Sequence, residues 1–227
     1  MRRRPAALAI VSLLLTCGIS ACGGASGNGV ASKSPDAIVT EALDAIDSAK
    51  SAHIYGSVTS GDSPTTLNLD LLAGKGGRGE VSVGDLVFMI EVVGNDVYIN
   101  GNPAFVNHFF GTAALRQFQG RWLKAPSNGQ FAFVAQVSNL QTLVRSLLVP
   151  HGTLVKSGTR TIDGRSAIGV RDETRDATLY VATRGKPYPL EILSGGGSKH
   201  GRLTLGAFNE SVSLTPPLDP VDISKLK

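Results

Sequence analysis

The residue with the most chemistry to offer is Cys22. It follows Ile19-Ser20-Ala21 at the end of an apolar run, and small residues before a cysteine at that point form a lipobox, where a thiol is converted to a lipid thioether. Upstream, Arg2, Arg3 and Arg4 make a basic n-region, residues 6–16 an apolar h-region and Ser20-Ala21 a small-residue cleavage site, the three-part grammar of a secretory signal. The apolar run is broken by Cys17 and Gly18 and falls short of the ~20 residues that span a bilayer. Residues 1–21 therefore read as a cleaved signal peptide. Cys17 follows Leu15-Thr16 rather than a small pair and leaves with that signal. A lipidated Cys22 leaves the mature chain no thiol for a disulfide, a metal site or a nucleophile.

Other reactive side chains do not assemble into a known pattern. The sequence holds no G-x-S-x-G elbow and no H-E-x-x-H, and His53, His108, His151 and His200 are too scattered to form a helical or hairpin metal pair. Asp44 and Asp47 share a helical face with Glu41 and Lys50, the pattern of a solvated surface rather than an acid/base pair. The Ser194-Gly195-Gly196-Gly197-Ser198-Lys199 run lacks the Walker spacing and no helix follows it, so it reads as a hairpin loop. Neither enzyme activity, a metal nor a cofactor is expected.

Loss of Arg2, Arg3 and Arg4 leaves 19 basic residues against 18 acidic ones, so the formal charge of +4 falls to +1. With no clustered basic face and no basic residues interleaved with aromatics, a nucleic-acid partner is not expected. Residues 22–34, rich in Gly, Ala, Ser and Asn, have the composition of a flexible tether. A diacylated Cys22 would supply the two chains that stable anchoring requires, placing residues 35–227 as a single domain on the extracytoplasmic face of the cell membrane.

The elements of that domain follow from periodicity. Ser34-Pro35-Asp36 opens a helix to about Ser51, with Ile38, Val39, Ala42, Leu43, Ala45, Ile46 and Ala49 on one face. The period then drops to two. Ile54 and Val58, then Leu67, Leu69 and Leu71, then Val81 and Val83 alternate with polar residues, as do Val97 and Ile99 around Tyr98. Phe88 and Ile90 lie in a strand, residues 86–93, whose second parity is apolar too, which predicts cover on both faces or a neighbouring cavity. Residues 104–119 read as a broken helical segment carrying Phe105 and Phe109, interrupted at Gly111-Thr112. Gly120-Arg121-Trp122-Leu123-Lys124 reads as a return to strand, which Pro126 ends. Ser138 is expected to cap a third helix with an apolar stripe of Leu140, Leu143, Val144, Leu147 and Leu148. Strands follow around Asp163-Gly164, a type I′ hairpin signal, then at residues 178–181, 189–193, 202–205 and 211–214, before Pro216-Pro217. The order helix, meander, helices, meander predicts an α+β domain in which a strongly curved antiparallel sheet, an incomplete half-barrel, wraps the helices. Its inner face of Leu, Val, Ile and Phe is the lining expected of an apolar ligand cavity.

In order, the lipobox Cys22, Ala52-His53-Ile54, Asp96-Val97-Tyr98-Ile99, Gly120-Arg121-Trp122-Leu123-Lys124-Ala125-Pro126, residues 155–169 around Asp163-Gly164, Leu179-Tyr180-Val181-Ala182 and Lys186-Pro187-Tyr188-Pro189-Leu190 resemble the actinobacterial lipoproteins of the LppX/LprAFG type, related in fold to the LolA and LolB carriers. The resemblance implies a half-barrel over helices whose hydrophobic cavity carries acylated lipids or lipoglycans between the plasma membrane and the outer envelope, with a membrane lipid transporter as a further partner. On that reading the cavity is lined by Ile54, Val58, Leu67, Leu69, Leu71, Val81, Val83, Phe88, Ile90, Val97, Ile99, Phe105, Phe109, Leu140, Leu143, Val144 and Leu147. The alternative expectation is a surface-anchored module that binds a protein or glycan and fills its interior with its own side chains.

Overall fold

The computed structural model describes residues 27–60, 63–195 and 201–225, so the signal segment, Cys22 and residues 196–199 of the Gly-rich run lie outside the described residues. One helix, α1 (Pro35–Asp47), precedes five strands, β1 (Ser51–Ser60), β2 (Ser63–Leu72), β3 (Gly76–Val83), β4 (Leu86–Val93) and β5 (Asp96–Gly101). Two short helices, α2 (Pro103–Phe110) and α3 (Leu115–Phe118), lead to β6 (Leu123–Pro126). Helices α4 (Ala132–Val137) and α5 (Leu140–Leu148) come next, then β7 (Leu154–Ile162), β8 (Arg165–Asp172), β9 (Ala177–Ala182), β10 (Pro189–Ser194), β11 (Gly201–Gly206) and β12 (Val221–Asp222).

All twelve strands form one sheet in the order β12-β6-β5-β4-β3-β2-β1-β11-β10-β9-β8-β7, open at both edges. Two meanders meet where β1 pairs with β11, and every neighbouring pair is antiparallel except β12 beside β6. The helices cover one face: α1 lies on β7 to β10, while α2 and α4 lie on β4. This is the α+β, curved open-sheet architecture that the element order predicts. Asp163 (φ 46°) and Gly164 (φ 74°) adopt the left-handed conformations of the I′ hairpin between β7 and β8.

Local chemistry explains where elements start and where the sequence misleads. Pro35 sits at the first turn of α1, and the Ser34 hydroxyl accepts from Ala37 N–H at 3.4 Å. The helix ends at Asp47, earlier than its apolar spacing suggests, because Ser51 already belongs to β1, with its buried hydroxyl donating to Glu210 O at 2.5 Å. Ser138 does not cap α5. It closes α4, and the Asn139 side chain takes the cap, accepting from Thr142 N–H at 2.9 Å. Helix α4 and the 3-10 turn Gly129–Phe131 before it, which bury Val134 and Phe131, are additions to the elements legible in the sequence.

Residues 211–214 are not a strand despite their alternation. Both edges of β11 are occupied, by β1 and β10, so the chain after it finds no free edge to pair with. It runs over the outer face instead, where Thr215 N–H donates to Glu91 Oε1 at 2.6 Å, and rejoins the sheet as β12 beside β6. That outer face is also where the second parity of β4 points. Phe88, Ile90 and Val92 are buried, but Met89 is 42 % exposed, so β4 is not covered equally on both sides.

The chain before α1 departs from its coil-like composition. Asn28 N–H donates to Thr183 O at 2.8 Å, and its side-chain amide donates to Ala182 O at 2.9 Å and Gly185 O at 3.0 Å. Val30 is buried in the core, and Lys156 Nζ donates to Ala31 O at 2.9 Å. A single asparagine able to donate twice and accept once fixes residues whose neighbours carry no such signal.

Candidate functional site

Of the residues expected to line a cavity, Ile54, Leu67, Leu69, Leu71, Val81, Phe88, Ile90, Val97, Ile99, Phe105, Leu140, Leu143 and Val144 are all buried in one core, with Val58, Phe109 and Leu147 packed against it. Val83, at 38 % exposure, stands apart. Parity therefore identifies the inner face correctly at all but the end of β3. Being inside, however, does not make a residue a cavity wall.

Under β4 and β5 the interior is filled by rings. Phe105 is wholly buried, with centroids of Phe109 at 4.6 Å, Phe88 at 4.9 Å and Phe131 at 6.2 Å, and Phe109 in turn lies 5.3 Å from Phe131. Two features place Phe105 there: Asn102 caps α2 by accepting from Phe105 N–H at 2.9 Å, and Gly101 leaves room for the ring. A Cβ at Gly101 would meet the Phe105 ring at 2.2 Å. Aromatic pairs at these separations fill space and stabilise one another by ~0.5–1.5 kcal/mol beyond their area burial.

Under β7 to β10 the packing is aliphatic and leaves a cleft. Val39 of α1, Leu147 and Leu148 of α5, Val149 and Pro150 after it, Leu154, Val170, Leu179 and Ile192 surround it. Leu147 is the only residue of the expected lining that reaches it. Leu154, Val170, Leu179 and Ile192 lie on inward parities of β7 to β10, strands whose existence is plain in the sequence but whose inner faces look no different from those of the first meander. The cleft opens to solvent and its free interior is ≈ 50 Å³, against ~30 Å³ for one water in the liquid. An acyl chain needs more room than that.

The mouth is polar and held by one carboxylate. Asp172, buried at the end of β8, accepts from His151 N–H at 2.7 Å, Thr174 N–H at 2.9 Å and Arg175 N–H at 3.2 Å. The His151 bond, then those of Arg175 and Thr174, hold its carboxyl below the ordinary carboxylate range against the opposing effect of burial. The clamp ties the chain leaving α5 to the β8–β9 turn. It positions the rim; with all three bonds going to backbone, it offers no base for catalysis.

Two further polar clusters lie on the outer face. Glu191 is buried beneath Arg160, 3.0 Å away, and Arg202, 3.4 Å away, and the Arg160 guanidinium lies 4.6 Å from the Tyr180 ring centroid. The Arg160 contact is a charge pair rather than an aligned hydrogen bond, since Glu191 Oε1 makes none. His53 Nδ1 lies 2.7 Å from Asp70 Oδ1, and Arg78 lies 3.5 Å from Oδ2 of the same carboxylate. Among the described residues, no group of three or more His, Cys, Asp or Glu is arranged to hold a metal ion.

No protein-family model matches this chain, and no curated protein sequence matches it. Solved structures do. LprF from Mycobacterium bovis aligns with 81 % of this chain and 96 % of its own length at 11 % identity, with a TM-score of 0.54. The Mycobacterium tuberculosis lipoprotein LppX aligns with 80 % of this chain and 98 % of its own length at 19 % identity, with a TM-score of 0.51. The chain thus has the fold of these mycobacterial proteins, and at such identities it is the fold alone that the likeness establishes.

Proposed function

We propose that this protein is a membrane-anchored lipoprotein, lipidated at Cys22, that binds an acylated lipid between α1, α5 and the inner face of β7 to β10 and carries it within the cell envelope. The observation that carries the reading is the cleft: apolar side chains from α1, α5, the chain just after α5 and the four strands β7 to β10 converge on a gap that is open to solvent. Apolar walls with a few polar groups at the rim are the usual build of a site for a greasy ligand. Binding moves α5 outward and parts the aliphatic walls. No chemistry on the ligand is part of the proposal. A membrane lipid transporter as partner, and a lipoglycan as cargo, extend the same reading.

The Phe-filled first half favours the second reading, a surface-anchored interaction module with a full core. Expression with its signal in an actinobacterial host, followed by native mass spectrometry of the detergent-extracted protein and titration with a fluorescent fatty-acyl probe, separates the two. Co-purifying lipid and saturable probe binding support the carrier. Absence of both overturns it. Cys22→Ala should move the protein from the membrane to the soluble fraction, and unchanged membrane association would overturn the anchor.

A further inference from the structure

The anchor point and the cleft mouth lie at opposite ends of β9. Asn28 is bound to Ala182, Thr183 and Gly185 at and just beyond the C-terminal end of that strand, whereas Asp172, Arg175 and Ala177 of the cleft stand at its N-terminal end. The run from Ala177 to Thr183 covers about 20 Å at ~3.3 Å per residue. Helix α1 repeats the geometry. It starts near the mouth, where Val39 lines the cleft, and returns to the anchor end, where Lys186 Nζ donates to Ser48 Oγ at 2.8 Å.

We infer that, with Cys22 in the bilayer, the domain stands on an anionic membrane surface by its β7–β8 and β9–β10 turns and holds the cleft mouth away from the membrane that anchors it. The inference rests on the lipidation of Cys22 proposed above. Its first support is reach. Six residue steps separate Cys22 from Asn28, and even fully extended they span only about 20 Å at ~3.3–3.6 Å per step. An upright domain needs none of that extension. An inverted one needs all of it simply to bring the mouth level with the bilayer, at the full entropic cost of a stretched chain.

The second support is charge. The two turns beside Asn28 carry Arg165, Arg184 and Lys186 against the one carboxylate of Asp163, and apart from the partly buried Arg165 all of these are exposed. Basic residues immediately next to a membrane are drawn to anionic headgroups, an attraction confined to about one Debye length. The consequence for a carrier is directional: the mouth presents itself to whatever lies outward of the anchoring membrane, and loading from that same membrane requires either a fully stretched Cys22–Asn28 segment or release of Asn28.

The test uses the full-length lipidated protein in vesicles of phosphatidylglycerol and phosphatidylcholine. A fluorophore is placed on Thr161→Cys, beside the β7–β8 turn, or on Glu173→Cys, beside the mouth, and quenched by headgroup-labelled lipid. We expect quenching several-fold stronger at position 161 than at position 173, and loss of most of that difference on charge reversal with Arg165→Glu and Arg184→Glu together with Asn28→Ala. Equal quenching at both positions, or stronger quenching at 173, overturns the orientation. A difference that survives the triple variant overturns the roles given to these residues. Co-flotation with the vesicles and the mass of the N-terminal lipopeptide are read on the same samples: a protein that does not float defeats the anchor reading itself, whereas one that floats with the wrong order of quenching defeats only the orientation.

Discussion

The first half of the sheet and the second half bury the same kinds of position and differ in what fills the space above them. Over β4 and β5, α2 sets Phe105 on Phe88, and Phe109 and Phe131 pack on Phe105 and on each other, so that ring follows ring. Over β7 to β10, α1 offers Val39, Ala42 and Ala45, small or branched side chains, and α5 offers leucines. A Phe ring has two torsions and a fixed outline, so a cluster of them specifies one packing. Leucine and alanine surfaces tolerate several. The first half is suited to hold a shape and the second to change one, which is why the cleft lies where it does.

The largest effect should come from breaking the rigid half. Phe105→Ala removes a wholly buried ring at the centre of its cluster, and such deletions typically cost ~3–5 kcal/mol through lost transfer energy and an unfilled cavity. Leu179→Ala, on the cleft wall, should cost less, near or below ~2 kcal/mol, because its neighbours border open space and can close in. Urea unfolding of both variants measures the contrast. Equal losses would show that the two halves are packed alike.

Val144→Trp comes next. The helical stripe suggests a cavity wall at Val144, but the side chain is fully buried between α5 and the core and does not reach the cleft. Adding an indole there should destabilise by ~1–3 kcal/mol or more, seen as a lower melting temperature. A Trp variant as stable as the parent would mean that the filled region is looser than its geometry.

Asp172 tests the rim between the two behaviours. Asp172→Asn keeps one oxygen but turns the other into an amide NH2 that donates and cannot accept from a backbone N–H, so part of the clamp is lost, at ~1.5–3 kcal/mol for hydrogen bonds to a charged group. The sign with pH follows from the direction of the shift. The folded carboxyl is more acidic than the unfolded one, so its contribution is present in full above the ordinary carboxylate pKa of ~3.9 and fades as pH falls through the lower folded value. The variant should therefore be less stable than the parent at pH 7 and approach it at acid pH in chemical denaturation. A constant difference across that range would show that the carboxylate charge plays no part.

How much of this was legible in the sequence depends on which physics decides each feature. Parity places Leu67, Leu69, Leu71, Ile90, Val97 and Ile99 inside, because a strand has only two faces and a polar residue avoids one of them. Asp163-Gly164 declares its hairpin because few dipeptides accept two left-handed residues. Neither rule reports whether the inner face meets a ring, an alkyl chain or a gap. That depends on which helix lies above each strand, and here it puts the cleft under β7 to β10, on Leu154, Val170, Leu179 and Ile192, rather than along the first meander. Asn28 is illegible for a related reason. Its partners, Ala182 and Gly185, are more than 150 positions away, so local composition gives only coil.

Leu147→Trp has the smallest expected effect on stability and the sharpest meaning. Leu147 and Leu148 are the two residues of the α5 stripe that pack on the core and line the cleft, and of the two Leu147 is only partly buried. An indole at that position can extend into the solvent-open gap instead of displacing core atoms, so the overpacking cost that applies at Val144 does not apply. The variant should melt within a degree or two of the parent, a shift equivalent to well under ~1 kcal/mol for a domain of this size. Binding of a fluorescent acyl probe should nonetheless be lost, because the ring occupies the opening through which α5 must admit the chain. Retained probe binding in a stable Leu147→Trp protein would place the lipid elsewhere and return the aliphatic half to the same role as the aromatic one. A large fall in melting temperature would mean that the cleft is not spare room at all, and the contrast between the two halves would go with it.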